Sequence, residues 1–357
     1  MYSELSVPET RVLSVASHVV SGNVGNKIAV FTMQSLGCEV AALNTVQFSN
    51  HTGYRQFKGT RVSAGEISDL WEGLKQSHLD DFDMMLSGYI PGAEAVEAVG
   101  RIARELKAKG SKDFFWVLDP VMGDNGNLYV AQDVVPAYKG LVEFADLILP
   151  NQFEAEVLSE VKIVDLTSLT QAIEVLHTRF GVPHIVITSV TLPHPDHPTK
   201  TMWVVGSTRT SSGKPRLFKI VFPAIDCYFS GTGDMFAALM VARMRQAVFS
   251  SPDHETLKAQ KSWVSDDSVE TSELPLAKAA EKVLATMHEI LTKTSASMDA
   301  DMVKIKAALG PEPAADDEAA EYKRKMHLHK SKAAELRLAR NLDSLRFPKV
   351  ELRAVPM

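Results

Sequence analysis

The sequence predicts an α/β fold with a doubly wound, mostly parallel central sheet flanked by helices on both faces. Two observations lead to this prediction. Short apolar segments rich in β-branched and aromatic residues recur along the chain, and helical patterns separate them. Strands that are apolar along their whole length are typical of parallel sheets covered on both faces, and right-handed crossovers place the connecting helices over those faces.

The apolar segments predict individual strands, and the patterns between them predict helices. The candidate strands are Arg11–Ser17, Glu39–Asn44, Asp83–Gly88, Phe114–Asp119, Asp146–Pro150 and His184–Ser189. The candidate helices are Gly25–Leu36, Ala93–Lys109, Leu169–Phe180 and Leu276–Leu291. The polar segment Tyr54–Ser63 predicts a small hairpin, which is a candidate flap over a site.

The later part of the chain is less regular. The main domain is expected to span residues 1–309, and within it Gln246–Glu273 is polar without an apolar period, which predicts a long surface insertion. Residues 310–340 begin as an acidic linker and become a charged helix, and residues 341–357 form a C-terminal segment.

Composition limits the class of protein. The 357 residues are 45% hydrophobic and 23% charged, as in ordinary globular proteins. The net charge of −6 argues against a nucleic-acid partner. No apolar stretch of about 18 residues is present, so no membrane span is expected. The N-terminus lacks a charged-then-apolar signal segment, which favours a cytoplasmic protein. Cys38 and Cys227 lie beside apolar residues and are predicted to be buried, reduced thiols.

Two polar segments allow a second interpretation. The loop Pro193–Thr199 contains two histidines and Asp196, which could form a metal site, but its prolines favour an exposed turn. The basic cluster Lys323–Lys332 could direct nuclear import or bind a polyanion, although a solvated helix face is favoured. Nuclear entry therefore stays open beside the cytoplasmic location.

Polar residues follow most of the predicted strands. In open parallel sheets, ligands bind outside the carboxyl ends of the strands, where these residues would gather. Helix capping explains one such residue, but it does not readily explain polar groups after so many strands. The residues concerned are Ser17, Asn44, Gly88-Tyr89, Asp119 and Asp124, Asn151 and Glu154, and Thr188-Ser189.

A glycine turn, Gly231-Thr232-Gly233, precedes Asp234 and an apolar helix. It matches neither the P-loop nor the dinucleotide fingerprint, and Gly22–Gly25 is only a weak GxxG. The local alternative is an ordinary helix start capped by Thr232 or Asp234. Successive amides at a helix N-terminus nevertheless favour an anion such as phosphate.

The aspartate in this turn indicates chemistry as well as binding. It would repel a resting phosphate, but it can take the proton of an alcohol while the amides stabilise the phosphoryl group in transfer. Asp119 and Asp124 then suit a metal-bound nucleotide, because Mg²⁺ prefers a few carboxylates plus phosphate oxygens. A capped turn is the alternative for Asp119–Asp124.

These motifs together resemble those of the pyridoxal kinases, in the ribokinase-like superfamily. The resemblance runs from about Arg11 to Leu239 and is carried by Ser17–Asn26, Val46–Tyr54, Asp119–Asp124, Pro150–Glu156, Val186–Ser189 and the GTGD turn. It resumes weakly at Glu351–Val355, which is similar to the closing strand of the family. It implies ATP-dependent phosphorylation of the 5′-hydroxymethyl group of pyridoxal, pyridoxine and pyridoxamine in vitamin B6 salvage. It also implies a homodimer.

The resemblance assigns a role to each matching residue. Asp234 would be the base, and Gly231, Thr232 and Gly233 the anion hole. Ser17 and Thr52 would hydrogen-bond the substituents of the pyridine ring. The ring pocket would be shaped by Val24, Phe48, His51 and Tyr89. The metal and nucleotide would be held by Asp119, Asp124, Asn151, Glu154, Thr188 and Ser189, with Asp119, Asp124 and Glu154 as the metal candidates.

One departure affects the cofactors. Many relatives have a threonine at the position of Leu149, where it can contribute to a monovalent-cation site, so dependence on K⁺ or Na⁺ is in doubt here. Two other functions stay open. One is a related kinase acting on hydroxymethylpyrimidine or a sugar, against which the HTGY motif argues. The other is an inactive regulatory relative, against which the intact GTGD turn argues.

Overall fold

The computed structural model describes residues 7–109, 114–192 and 201–357, and there it confirms the predicted α/β class. These ranges contain a 10-stranded sheet and a 2-stranded sheet. The strands are β1 Arg11–Val19, β2 Glu39–Phe48, β3 Gly59–Arg61, β4 Met84–Ser87, β5 Phe115–Leu118, β6 Gly123–Asp124, β7 Asn127–Leu128, β8 Leu147–Ile148, β9 His184–Val190, β10 Thr201–Arg209, β11 Pro215–Pro223 and β12 Val355–Pro356.

The helices include every one that the sequence predicts. They are α1 Gly25–Ser35, α2 Ala64–Gln76, α3 Ala93–Ala108, α4 Val134–Val142, α5 Gln152–Ser159, α6 Leu166–Phe180, α7 Thr232–Phe249, α8 His254–Ala259, α9 Pro275–Leu309, α10 Asp316–Ala333 and α11 Leu342–Arg346. Short 3₁₀ turns span Thr52–Tyr54, Lys261–Trp263 and Thr271–Glu273. Within the described residues, no helix is both long enough and apolar enough to cross a membrane.

The centre of the large sheet is parallel and its two edges are antiparallel. The strand order is β12-β11-β10-β9-β8-β5-β4-β1-β2-β3. Strands β2, β1, β4, β5, β8 and β9 run parallel to their neighbours in this set. Their carboxyl ends therefore meet at one edge, which is where ligands bind in such sheets.

Helices pack on both faces of the sheet because alternate strand residues point to opposite sides. In β5, Phe115 and Val117 belong to one core cluster, which also contains buried residues of α1, α7 and α9. Trp116 and Leu118 belong to the other cluster, with residues of α2, α3, α4, α5 and α6. Both faces of the central strands are thus buried, which explains their continuous apolar sequence.

The predicted flap has different bounds from those expected. The hairpin does not lie within Tyr54–Ser63, because its arms are β2 and β3, which pair Phe48 with Gly59 and Val46 with Arg61. Ser63 lies outside the hairpin and caps α2, where its side chain accepts a hydrogen bond from the Glu66 amide. The polar character of this segment therefore reflects an exposed edge strand and a helix start.

The segment Gln246–Glu273, which the sequence predicts to be a surface insertion, is anchored in the core although many of its residues are exposed. The segment begins inside α7, and Trp263 is fully buried, with its ring stacked 4.3 Å from that of Phe115. The backbone carbonyl of Ser262 accepts a hydrogen bond from Nε2 of His184 at 2.7 Å, and its hydroxyl lies 2.6 Å from Asp146. Trp263 and the hydrogen bonds of Ser262 anchor this segment, and neither produces an apolar period.

Several other features differ from the sequence prediction. The antiparallel strands β10 and β11 were not predicted, and α9 extends beyond the predicted helix to Leu309. Cys38 is buried as expected, but Cys227 is only half-buried. The charged stretch does form a helix, α10, and the closing strand forms as the two-residue β12. The loop Pro193–Thr199 lies outside the described residues.

Candidate active site

The glycine turn before α7 lies against the loop that precedes α1. Gly231 has φ +82°, a left-handed conformation that favours glycine. A Cβ added there would lie 2.2 Å from the backbone oxygen of Asn23, so no side chain fits. A Cβ added at Gly233 would lie 4.0 Å from Oδ2 of Asp119. The turn therefore lies between the Asn23 loop and the first predicted metal ligand.

Asp234 lies in the first turn of α7 and points to the carboxyl edge of the sheet. The backbone N–H of Gly25 donates a hydrogen bond to its carboxylate. Oδ1 lies 3.9 Å from the position of an added Cβ at Gly88, just after β4. The residue as a whole is partly exposed, but its carboxyl group is buried, and this burial raises the pKa of the carboxyl group. A raised pKa makes this group a stronger proton acceptor once it is ionised.

The pKa values of two further predicted acids, Asp119 and Glu154, are also raised. Burial, and then the charges of Glu154 and Asp234, raise the pKa of Asp119 well above its usual range. Burial also raises the pKa of Glu154 to about 7, although backbone N–H groups oppose the shift. Buried carboxylates at close range repel each other, so a cation placed among them is stabilised.

Asn151 and Glu154 connect α5 to the loop after β5. They form a reciprocal cap at the start of α5, with the Glu154 amide donating to Oδ1 of Asn151 at 2.9 Å. Oε1 of Glu154 accepts the amide of Met122 at 2.9 Å, and Nδ2 of Asn151 donates to the Gly123 oxygen at 2.7 Å. These residues thus fix the Asp119–Asp124 loop. The sequence predicts both as residues of the nucleotide end, and Glu154 also as a metal ligand, but it does not predict this structural role.

Asp124 lies in the small hairpin of β6 and β7. Its carboxylate accepts the backbone amide of Asn125 at 2.8 Å. Among the described residues, no group of three or more His, Cys, Asp or Glu side chains could hold a metal ion by itself. Asp119, Asp124 and Glu154 therefore do not form a closed metal cage, and a metal held there would need further ligands.

The predicted ring pocket corresponds to an apolar cluster at the ends of β1 and β2. Val24 and Phe48 are buried in one cluster with Val19 and Val46, and Tyr89 packs against that cluster. The hydroxyl of Thr45 donates to the Tyr89 oxygen at 2.7 Å, which holds the loop after β4 in place. The structure therefore brings together three of the four residues predicted to shape a ring pocket.

Ser17 lies near the end of β1, and His51 lies after β2. The Oγ atom of Ser17 lies 2.4 Å from the position of an added Cβ at Gly25, so the hydroxyl is beside the loop that contacts Asp234. His51 precedes the 3₁₀ turn Thr52–Tyr54, and its ring lies 4.6 Å from that of Tyr54. Thr52 is exposed at the start of this turn.

The turn also approaches the residue before the glycine turn. A Cβ added at Gly53 would lie 3.4 Å from Oγ of Ser230. The predicted ring-contact segment and the predicted anion hole are therefore neighbours.

The end of β9 supplies the remaining predicted residues. Thr188 and Ser189 are half-buried there, and the Thr188 amide donates to the Pro150 oxygen at 3.0 Å. The side chain of Leu149 is buried in the core beside α1 and α7. The side chain of Leu149 therefore presents no oxygen for a monovalent cation.

Sequence reasoning missed residues that organise the site. Asn26 is buried in α1, and its Nδ2 lies 2.9 Å from the Leu43 oxygen and 3.2 Å from the Ser14 oxygen, which ties β1 to β2. An asparagine at a buried position of a helix was the available signal. Glu335 follows α10 and contacts His51 and Tyr54. Its place in a charged, solvent-like stretch gave no signal at all.

Comparisons with known proteins agree with this geometry. A family model described as phosphomethylpyrimidine kinase matches residues 30–274. The pyridoxal kinase of Homo sapiens is 36% identical over 295 residues, covering 80% of this chain and 86% of the human protein. The pyridoxal kinase of Arabidopsis thaliana is 34% identical over 346 residues, covering 96% of this chain and 94% of the plant protein.

A solved structure matches over nearly the whole chain. The pyridoxal kinase from Leishmania donovani in complex with ADP and pyridoxamine has a TM-score of 0.74 and 30% identity, and the match covers 98% of this chain and 99% of that one. The sheet order, the glycine turn and the match to the family model together identify the protein as a small-molecule kinase with a ribokinase-like α/β fold. Within that class, the chain belongs to the pyridoxal kinase family.

The close approach at Gly231 leads to a testable prediction. Gly213 has the same φ of +82°, but an added Cβ there meets nothing within 4 Å. Gly213→Ala should lower the free energy of unfolding by about 1 kcal/mol through backbone strain alone. Gly231→Ala should lower it by roughly 1–3 kcal/mol more, because the Asn23 carbonyl must move. Chemical denaturation of the two variants measures the difference, and equal losses would contradict the described contact.

Proposed function

We propose that this chain transfers the γ-phosphoryl group of ATP to the 5′-hydroxymethyl group of pyridoxal, pyridoxine and pyridoxamine. The observation that carries the proposal is the position of Asp234, which follows the glycine turn and is linked to the Gly25 amide. The relatives named pyridoxal kinase, and the related structure with ADP and pyridoxamine, support the substrate class.

Asp234 is proposed to act as the general base. Its ionised carboxylate accepts the proton of the substrate hydroxyl, and the resulting oxygen attacks the γ-phosphorus as the bond to ADP breaks. The amides of Gly231, Thr232 and Gly233 stabilise the charge on the transferring group. Proximity of base and anion hole on one helix start supports this pairing, because both are placed by the same turn of α7.

The metal-nucleotide is proposed to bind beside Asp119. Asp119 and Glu154 are buried acids with raised pKa values, which suits a divalent cation such as Mg²⁺ as their counter-ion. Asp124 would meet the metal and phosphates from the β6–β7 hairpin. When bound, the cation would neutralise phosphate charge, and phosphate oxygens would complete its ligands. Asn151 would orient this end, and Thr188 and Ser189 would contact ATP at the end of β9.

The vitamer is proposed to occupy the apolar pocket. Its pyridine ring would contact Val24, Phe48, Tyr89 and His51, with Ser17 and Thr52 bonding the ring substituents. The first three surround one apolar region in the structure. The β2–β3 hairpin, beside the turn Thr52–Tyr54, would cover the ring and exclude water from the reacting phosphate.

The remaining expectations are kept as proposals. We infer a homodimer and a cytoplasmic location, with nuclear entry as the alternative. A single kinase domain would span residues 1–309, followed by the helix of 310–340 and the segment 341–357. Activation by K⁺ or Na⁺ would need ligands other than the side chain of Leu149, because that side chain is buried and apolar.

A second candidate is phosphorylation of hydroxymethylpyrimidine, which the description of the matching family model favours. Incubation with Mg-ATP and equal concentrations of pyridoxal, pyridoxine or hydroxymethylpyrimidine, with and without K⁺, separates the candidates. We expect phosphate esters of the B6 vitamers, with kcat/KM higher than for the pyrimidine. No ester from any vitamer would reject the proposal, and ester from the pyrimidine alone would support the second candidate.

Substitution of the base tests its role. Asp234→Asn should lower kcat by roughly 10²–10⁴-fold, the usual scale for a positioned base. Asp226→Asn makes the same charge change at an exposed aspartate earlier in the loop and should leave kcat unchanged. An unchanged kcat in Asp234→Asn would show that another group removes the proton.

A further inference from the structure

The carboxylate of Glu335 reaches from the end of α10 into the predicted substrate site. Oε1 accepts a hydrogen bond from the Tyr54 hydroxyl at 3.1 Å and lies 3.1 Å from Nε2 of His51. The side chains of His51 and Glu335 are only 10% and 16% exposed. One oxygen of a residue far along the sequence therefore contacts two side chains of the 51–54 segment.

The other oxygen of Glu335 holds the opposite loop. The backbone N–H of Asn23 donates to Oε2 at 2.8 Å, and Nδ2 of Asn23 donates to the Leu336 oxygen at 2.8 Å. A Cβ added at Gly22 would lie 2.8 Å from Oε1, so the carboxylate packs against the bare face of this glycine. Glu335 thus joins the Gly22–Gly25 loop to the 51–54 segment.

A second contact from α10 strengthens the same connection. Nε2 of His327 lies 2.9 Å from the backbone oxygen of Gly53. His327 lies within α10 and Glu335 lies two residues after its end, so α10 and the residues that follow it contact the 51–54 segment at two places. The charged helix therefore packs directly on a predicted substrate-contacting turn.

The two segments joined by Glu335 also lead to the reacting groups. Asn23 presents its backbone oxygen to Gly231 of the anion turn, and Gly25 donates its amide to Asp234. Val24, between them, lines the apolar pocket. Displacement of the Asn23 loop would therefore first change the ring pocket, because Val24 is the residue next to Asn23.

The charge state of Glu335 is consistent with this role. Burial by itself would raise its pKa, but hydrogen bonds from His51, Asn23 and Tyr54 outweigh burial and lower the pKa. The group is therefore an ionised acceptor at neutral pH. Burial and the Glu335 charge both raise the pKa of Tyr54, so its hydroxyl remains a donor.

We propose that Glu335 is a positioning residue for the vitamer, which aligns the Asn23 loop with the His51–Tyr54 segment and thereby sets the KM for the B6 substrate. The proposal rests on the proposed function, because it takes these two segments to be the walls of the vitamer site. Glu335 contacts donors on both walls and takes no part in the chemical step.

Replacement by glutamine separates charge and acceptor number from side-chain size. In Glu335→Gln the side chain keeps its length, but an NH₂ group replaces one acceptor oxygen. This NH₂ group would face a hydrogen-bond donor on one of the two segments, so one hydrogen bond would be lost. Glu335→Ala removes both oxygens. Because a charged hydrogen bond is stronger than a neutral one, we expect the vitamer KM to rise roughly 10-fold in Glu335→Gln and further in Glu335→Ala. The KM for ATP and kcat should stay within about twofold.

Glu321 provides a matched control on the same helix. Its carboxylate is exposed and pairs only locally, with Arg324 and Lys325. Glu321→Gln and Glu321→Ala should leave all three kinetic constants unchanged. An unchanged vitamer KM in both Glu335 variants, or an equal rise in the KM for ATP, would overturn the positioning role.

A measurement without substrate makes failure of the two proposals distinguishable. Hydrogen–deuterium exchange should rise in peptides covering residues 20–27 and 50–57 of Glu335→Ala, and stay unchanged in Glu321→Ala. Inactive wild-type protein with this exchange pattern would reject the proposed function and leave the connection of the two segments supported. Active protein with unchanged exchange at both segments would overturn the inference alone.

Discussion

The close packing of the glycine turn against the Asn23 loop is the constraint on which the site depends. A Cβ at Gly231 would lie 2.2 Å from the Asn23 oxygen, so the left-handed glycine is what allows α7 to start there. The same helix start places Asp234 beside the Gly25 amide. One backbone contact therefore sets the anion turn, the base and the ring-pocket loop relative to each other, before any ligand contributes.

The second constraint is electrostatic. Burial is the largest cause of the raised pKa values of Asp119, Glu154 and Asp234, and the charges of Glu154 and Asp234 raise the pKa of Asp119 further. The Asn151–Glu154 cap partly compensates, because three backbone N–H groups donate to Glu154. Such a cluster destabilises the protein without its ligand, which is typical of sites that bind a cation and perform proton transfer. The unliganded protein is therefore less stable, but its site can bind a charged nucleotide with its cation.

Much of the fold could be predicted because the parallel strands are buried on both faces and read as continuous apolar segments. The carboxyl-edge residues from Ser17 to Ser189 could be predicted for the same reason, since strand ends in a parallel sheet converge. Asp234 could be predicted from the glycine turn before it. The contacts of Trp263 and Glu335 could not be predicted from the sequence. Each residue acts through contacts with residues far along the sequence: Trp263 stacks on Phe115, and Glu335 bonds to Asn23, His51 and Tyr54. The sequence around both residues is polar. Local periodicity carries no information about such contacts.

The central claim is that Asp234 accepts the substrate proton. The pH dependence of kcat/KM for pyridoxal tests it most directly at saturating Mg-ATP, where the bound cation would keep Asp119 and Glu154 ionised. The base works only when ionised, and its pKa is raised in the folded protein. Activity should therefore fall as the pH is lowered through a midpoint above the ordinary aspartate range, while circular dichroism shows the protein still folded. The residual activity of Asp234→Asn should lack this acid limb. An acid limb with the same midpoint in that variant would contradict the account.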